Sequence, residues 1–143
     1  MTAKQKQKAS HLRQKMNAGF TEMKGLLDEF MKREPLVKGA LYERRRRCGR
    51  EGCRCGRGQP HVSLAFSFSE EGRTKHPSLG GIEPERLRAA VESYRCFREA
   101  RAQLTKTWRA LFELIDEMEA LRKIEWNSLS NGAGSRTTQQ EDD

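Results

Sequence analysis

The chain has 143 residues, 35% hydrophobic and 34% charged, with a formal net charge of +8. That length suits one compact domain, but a mean hydropathy of −0.90 is lean, and burial alone would struggle to offset chain entropy, so a staple, an extended helical form or a partner is expected. The polar, Lys-rich residues 1–8 do not form a signal peptide, and no run approaches the roughly 18 apolar residues of a membrane span, so the expected compartment is cytoplasmic, with reduced thiols.

Residues 1–9 read as a basic flexible tail. Over residues 10–34 the spacing of Leu12, Met16, Phe20, Met23, Leu27 and Phe30 predicts helix one, stopped by Pro35. Residues 35–80 form a β unit. Residues 41–47 can be extended, and Val62, Leu64, Phe66 and Phe68 alternate with small residues at the period of a half-buried strand. Residues 69–72 make a turn, and residues 73–79 a returning strand that Pro77 places at an edge. Residues 82–126 predict a long, coiled-coil-like helix two, opened by Pro84. Its heptad seam is Ala90, Tyr94, Phe97, Leu104, Trp108, Leu111, Ile115 and Met118, interrupted by Arg101. Residues 127–143 are Ser-, Gly-, Thr- and Gln-rich and read as disordered.

The expected fold class is α+β, mainly helical: two long antiparallel helices flanking a small three-stranded antiparallel sheet with a zinc-binding loop. Such a hairpin sets the acidic end of helix two (Glu113, Asp116, Glu117, Glu119, Glu125) near Lys4, Lys6, Lys8, Arg13 and Lys15. The uncompensated charge then belongs to the loop end.

Three of the four cysteines cluster as Cys48-x4-Cys53-x-Cys55, followed by x5-His61. Thiolates and imidazole are the donors tetrahedral zinc takes, and a closed Cys3His set suits a structural ion. Gly49, Gly52, Gly56 and Gly58 permit the sharp turns such a wrap needs. The alternatives are a reactive thiol cluster or a redox Cys-x-Cys pair, and another metal or an iron–sulfur cluster. For the fourth ligand His61 closes the local set. Cys96 is the alternative, although a helical cysteine beside Phe97 usually packs as a small hydrophobe. His76 is a third choice, and His11 reads as a surface histidine.

The run Glu34-Pro35-Leu36-Val37-Lys38-Gly39-Ala40-Leu41-Tyr42-Glu43-Arg44, the Cys48…Cys53-Arg54-Cys55…His61 spacing and the following aromatic strand resemble a prokaryotic family of small uncharacterised proteins. The resemblance spans roughly residues 34 to 115. It implies Cys48, Cys53, Cys55 and His61 as the metal set, and an association with transposase genes and mobile elements. The arginine block is denser here than the family pattern, and Leu64, Phe66 and Phe68 stand where tyrosines are usual.

Residues 127–143 sum to −2, so the remainder of the chain carries +10. That density favours an anionic partner: nucleic acid, DNA before RNA. The candidate contacts are Arg44, Arg45, Arg46, Arg47, Arg50, Arg54 and Arg57, which can bridge phosphates or fork onto guanine edges. The other expectation is an interaction protein, a zinc-capped coiled coil that dimerises through helix two or docks on a partner such as a transposase. No Ser/His/Asp set, carboxylate pair, phosphate loop or dinucleotide fingerprint points to an enzyme.

Overall fold

In the computed structural model, residues 1–130 are described. Helix α1 (Ala3–Phe30) leads to strand β1 (Ala40–Arg46). Strands β2 (His61–Glu70) and β3 (Arg73–Lys75), helix α2 (Pro84–Arg122) and the short helix α3 (Trp126–Ser130) follow. The molecule is mainly helical with one three-stranded antiparallel sheet, ordered β1-β2-β3. No helix among the described residues is long and apolar enough to cross a membrane.

The chain divides into two compact units. The first joins Met1–Met23 to the chain from Lys106 onward. Its helix starts earlier than composition suggests: residues 3–9, expected as a flexible tail, are helical. The cause is a capping box. The Thr2 N–H donates to Gln5 Oε1 (2.7 Å), and the Gln5 N–H donates to Thr2 Oγ1 (3.2 Å), so two orphan helix donors are satisfied reciprocally. Packing completes the argument, since Ala9 and Leu12 are buried against Met118, with Met16, Leu114 and Leu121 around them. Further along, Leu111 lies against Gly19. Leu12 beside Met118 and Gly19 beside Leu111 make the two helices antiparallel here, and Lys8 pairs with Glu117 at 3.6 Å. Each of the larger buried side chains contributes about 1.5–3 kcal/mol.

The second unit is Lys24–Thr105. Phe30 at the end of α1 meets Phe97 of α2 edge-to-face, with ring centroids 5.0 Å apart. The Val37 N–H donates to the Ala90 carbonyl, fastening the chain onto α2 just before the sheet begins. At Gly39 a side chain would meet the buried Phe66 ring at 2.2 Å, so only glycine fits there. Strands β1 and β2 pair from Ala40↔Ser67 to Arg46↔His61. The β2–β3 connection is a tight turn at Glu71 and Gly72, both at positive φ (50° and 75°) as a type I′ hairpin requires. The returning strand stops at Lys75 rather than running to residue 79, because Pro77 has no N–H to offer the ladder.

Helix α2 begins at Pro84 and ends at Arg122, short of residue 126, and residues 126–130 form α3 instead of a tail. The remaining expected disorder lies outside the described residues. The buried seam also differs. Phe97, Leu104, Leu111 and Met118 form one row as expected, but the companion row is Ala100, Thr107, Leu114 and Leu121. Trp108 and Ile115 stay 47% and 39% exposed. The physical reason is Arg101: a seam through Trp108 and Ile115 would carry its guanidinium inward, whereas the chosen row holds no charge.

A candidate metal centre in the β1–β2 loop

The loop between β1 and β2 is drawn into a knot whose two ends are held by the ladder pair Arg46↔His61. Inside it, the Cys53 N–H donates to the Arg50 carbonyl, and residues Arg54–Arg57 form one turn of 3-10 helix. Gly58 closes that turn in the left-handed region, its N–H donating to the Arg54 carbonyl. Gly49 and Gly52 also take positive φ, while Gly56 does not.

This path brings Cys48, Cys53, Cys55 and His61 together: one ligand atom from each lies within 4.8 Å of all the others. The Cys48 and Cys55 sulfurs are 3.4 Å apart, and Cys53 Sγ is 3.2 Å from His61 Nε2. In a tetrahedral zinc–thiolate shell the corresponding separations are about 3.8 and 3.6 Å, so an ion needs only small adjustments. Cys55 is the inner ligand at 2% exposure, Cys53 and His61 are half-buried, and Cys48 faces solvent.

The local electrostatics prepare a thiolate. The Cys48 N–H donates to Cys55 Sγ (3.4 Å), and this bond, helped by the neighbouring thiols and by His61, outweighs burial and brings the Cys55 pKa down to about 6. Cys48 moves the other way. The Arg50 backbone favours its thiolate, but its hydrogen bonds to Cys55 and Cys53, together with burial, leave its pKa raised. The two sulfurs share a hydrogen bond in which either can donate. A set of three thiols and an imidazole converging at this range fits a metal ion.

The other ligand candidates lie elsewhere. Cys96 Sγ is 3.7 Å from a Glu92 carboxylate on α2, and His76 Nδ1 is 3.4 Å from the Tyr42 hydroxyl; neither joins the cluster.

Of the seven arginines, Arg44, Arg45 and Arg46 lie on β1 and Arg47, Arg50, Arg54 and Arg57 lie in the loop. All are exposed, and among the described residues none of them makes an ion pair. The register divides the run 44–47, because alternate residues of a strand point to opposite faces. Arg44 and Arg46 stand opposite Ser63 and His61, on the face that also holds Tyr42. Arg45 stands opposite Val62, on the face of Leu41, Leu64 and the buried Phe66. The aromatics of β2 therefore pack inward, and Tyr42 on β1 is the exposed ring. Sequence reading gave Tyr42 no functional role and weighed His76 only as a third choice of metal ligand. The period-two count back from Arg46 and Arg44 reaches Tyr42, but the pairing that brings His76 to it is a long-range contact.

No curated protein and no solved structure shows a match to the chain. Residues 20–89, just under half of it, match the model of a family described as a domain of unknown function (DUF6788), a span that takes in the end of α1, the whole sheet, the metal loop and the start of α2.

Proposed function

We propose that this protein is a zinc-stabilised, basic nucleic-acid-binding module. The donor set argues for zinc: three cysteines and a histidine close a four-ligand shell with no position left for water, as in structural sites. The observation that carries the nucleic-acid reading is the set of seven exposed arginines, without ion-pair partners among the described residues, in and beside a loop the metal would make rigid. A guanidinium held at a fixed place is suited to phosphate, and unpaired ones lose no internal partner on binding. The resemblance to transposon-linked proteins suits a DNA-binding accessory factor of a mobile element, working beside a transposase.

The test is fluorescence anisotropy of zinc-loaded protein with labelled oligonucleotides across a salt series. Binding that neutralises four or five phosphates gives a slope of log K against log salt of about −3 to −5, depending on strandedness. Replacing Arg44, Arg45, Arg46 and Arg47 by Ser removes most of the affinity. Absence of binding at low salt overturns the reading.

One observation favours a second role alongside it. In the first unit Phe20, Trp108, Phe112 and Ile115 are exposed together, with Trp108 and Phe112 in edge-to-face contact. Such a patch suits a protein partner, or a second copy joined through α2. Light scattering at twice the 16.5 kDa chain mass, lost on Trp108→Ser, supports the second copy.

A further inference from the structure

The face of the sheet that carries His61 has a layout of its own. Its middle row, along β2, is His61, Ser63, Ala65 and Ser67, small residues after the histidine. On one side β1 contributes Tyr42, Arg44 and Arg46, opposite Ala65, Ser63 and His61 respectively. On the other side β3 contributes Thr74, followed after the strand by His76. Two rows of longer side chains thus border a floor with little bulk. Tyr42 is 39% exposed, and its hydroxyl lies 3.4 Å from His76 Nδ1 across that floor. The contact steadies the ring from its polar end while part of its surface stays open to solvent.

Resting on the nucleic-acid reading above, we infer that this face binds single-stranded nucleic acid, with a base stacked on Tyr42 and the adjacent phosphates held by Arg44 and Arg46. An aromatic ring beside small residues offers stacking to a base whose own face is open. In a duplex the base faces are already stacked on one another, so Tyr42 would have nothing to take. The spacing suits a strand as well: residues two apart on one side of a β-strand stand about 6.5–7 Å apart, so Tyr42, Arg44 and Arg46 form an evenly stepped row along which a backbone can run.

The experiment compares a labelled oligothymidine with a duplex of the same length, on metal-loaded protein, by anisotropy. The single strand is expected to bind more tightly. Tyr42→Ala should weaken the single strand at least about fivefold, while Tyr42→Phe, which keeps the ring, stays within about twofold of the parent. A single strand carrying 5-bromouracil should photo-cross-link at Tyr42, a readout that needs no variant to fold. Tighter duplex binding that depends on Arg44 and Arg46, or cross-links falling only outside this face, overturns the single-strand inference and leaves the nucleic-acid reading standing. Failure of both probes to bind at low salt overturns both.

Discussion

His61 and Cys96 separate cleanly at the level of single side chains. His61 Nε2 is 3.2 Å from the Cys53 sulfur, whereas Cys96 lies along α2 beside Glu92. After loading with zinc and dialysis, His61→Ala should therefore retain far less metal than the parent, while Cys96→Ala and His76→Ala retain as much. The reverse result would move the fourth ligand to α2. Two glycines of α1 make a second contrast. A side chain at Gly25 meets nothing within 4 Å, so Gly25→Ala should gain about 0.5–1 kcal/mol of helix stability. At Gly19 the new carbon would sit 2.7 Å from Leu111 Cδ2, and Leu111 is itself buried. The overpacking there, about 1–3 kcal/mol, exceeds the helical gain, so Gly19→Ala should lower Tm while Gly25→Ala raises it. Equal shifts of one sign in thermal unfolding would refute the close approach.

Among the elements, an ion held by Cys48, Cys53, Cys55 and His61 would steady the loop and the sheet unequally. The ladder end at Arg46↔His61 borders the ligands, while the end at Ala40↔Ser67 is held by Gly39 against Phe66 and by Val37 on Ala90. Chelation should accordingly expose the amides of residues 44–46 and 61–63 to hydrogen exchange while those near Leu41 and Phe66 stay protected. Protection lost evenly across all three strands would mean that the ion holds the whole sheet. The same elements show what the sequence makes legible. Four ligands within fourteen residues announce themselves by spacing, and the alternation of Val62, Leu64, Phe66 and Phe68 identifies β2, because both signals are local. The seam of α2 misleads because two rows of hydrophobics flank Leu104 and Leu111, and Arg101 selects between them only once the helices pack. The first turn of α1 hides behind its lysines although the Thr2–Gln5 capping pair is there to be read. Val37 on Ala90 and Gly39 on Phe66 join distant stretches of chain, and no periodicity encodes them.

For the whole molecule, charge is the governing quantity. Five basic side chains meet an acid nearby: Lys8 with Glu117, Lys32 with Glu29, Lys75 with Glu70, Arg88 with Glu85, and Arg95 between Glu92 and Glu99. The seven loop arginines have no such partners among the described residues, and they are crowded into fourteen positions of the sequence, 44–57. Crowded like charges oppose folding until they are screened. The metal-loaded protein should therefore gain Tm as salt rises, and a variant with Ser at positions 44–47 should gain much less. A Tm that falls with salt in the parent would mean the paired acids outweigh the arginine repulsion.

The division of the arginine run between two faces has a genetic corollary. Four identical residues in a row carry no register: sliding β1 by one place still presents arginine to both sides of the sheet. The frame is written outside the run, by Gly39 and Leu41 before it and by Cys48 after it. Loss of a single arginine codon is thus far more than the loss of one charge. It forces a choice between carrying Tyr42 and Glu43 to the wrong sides and pulling Cys48 away from Cys55. Substitutions in the run should be individually mild, and in-frame deletions in the same run severe.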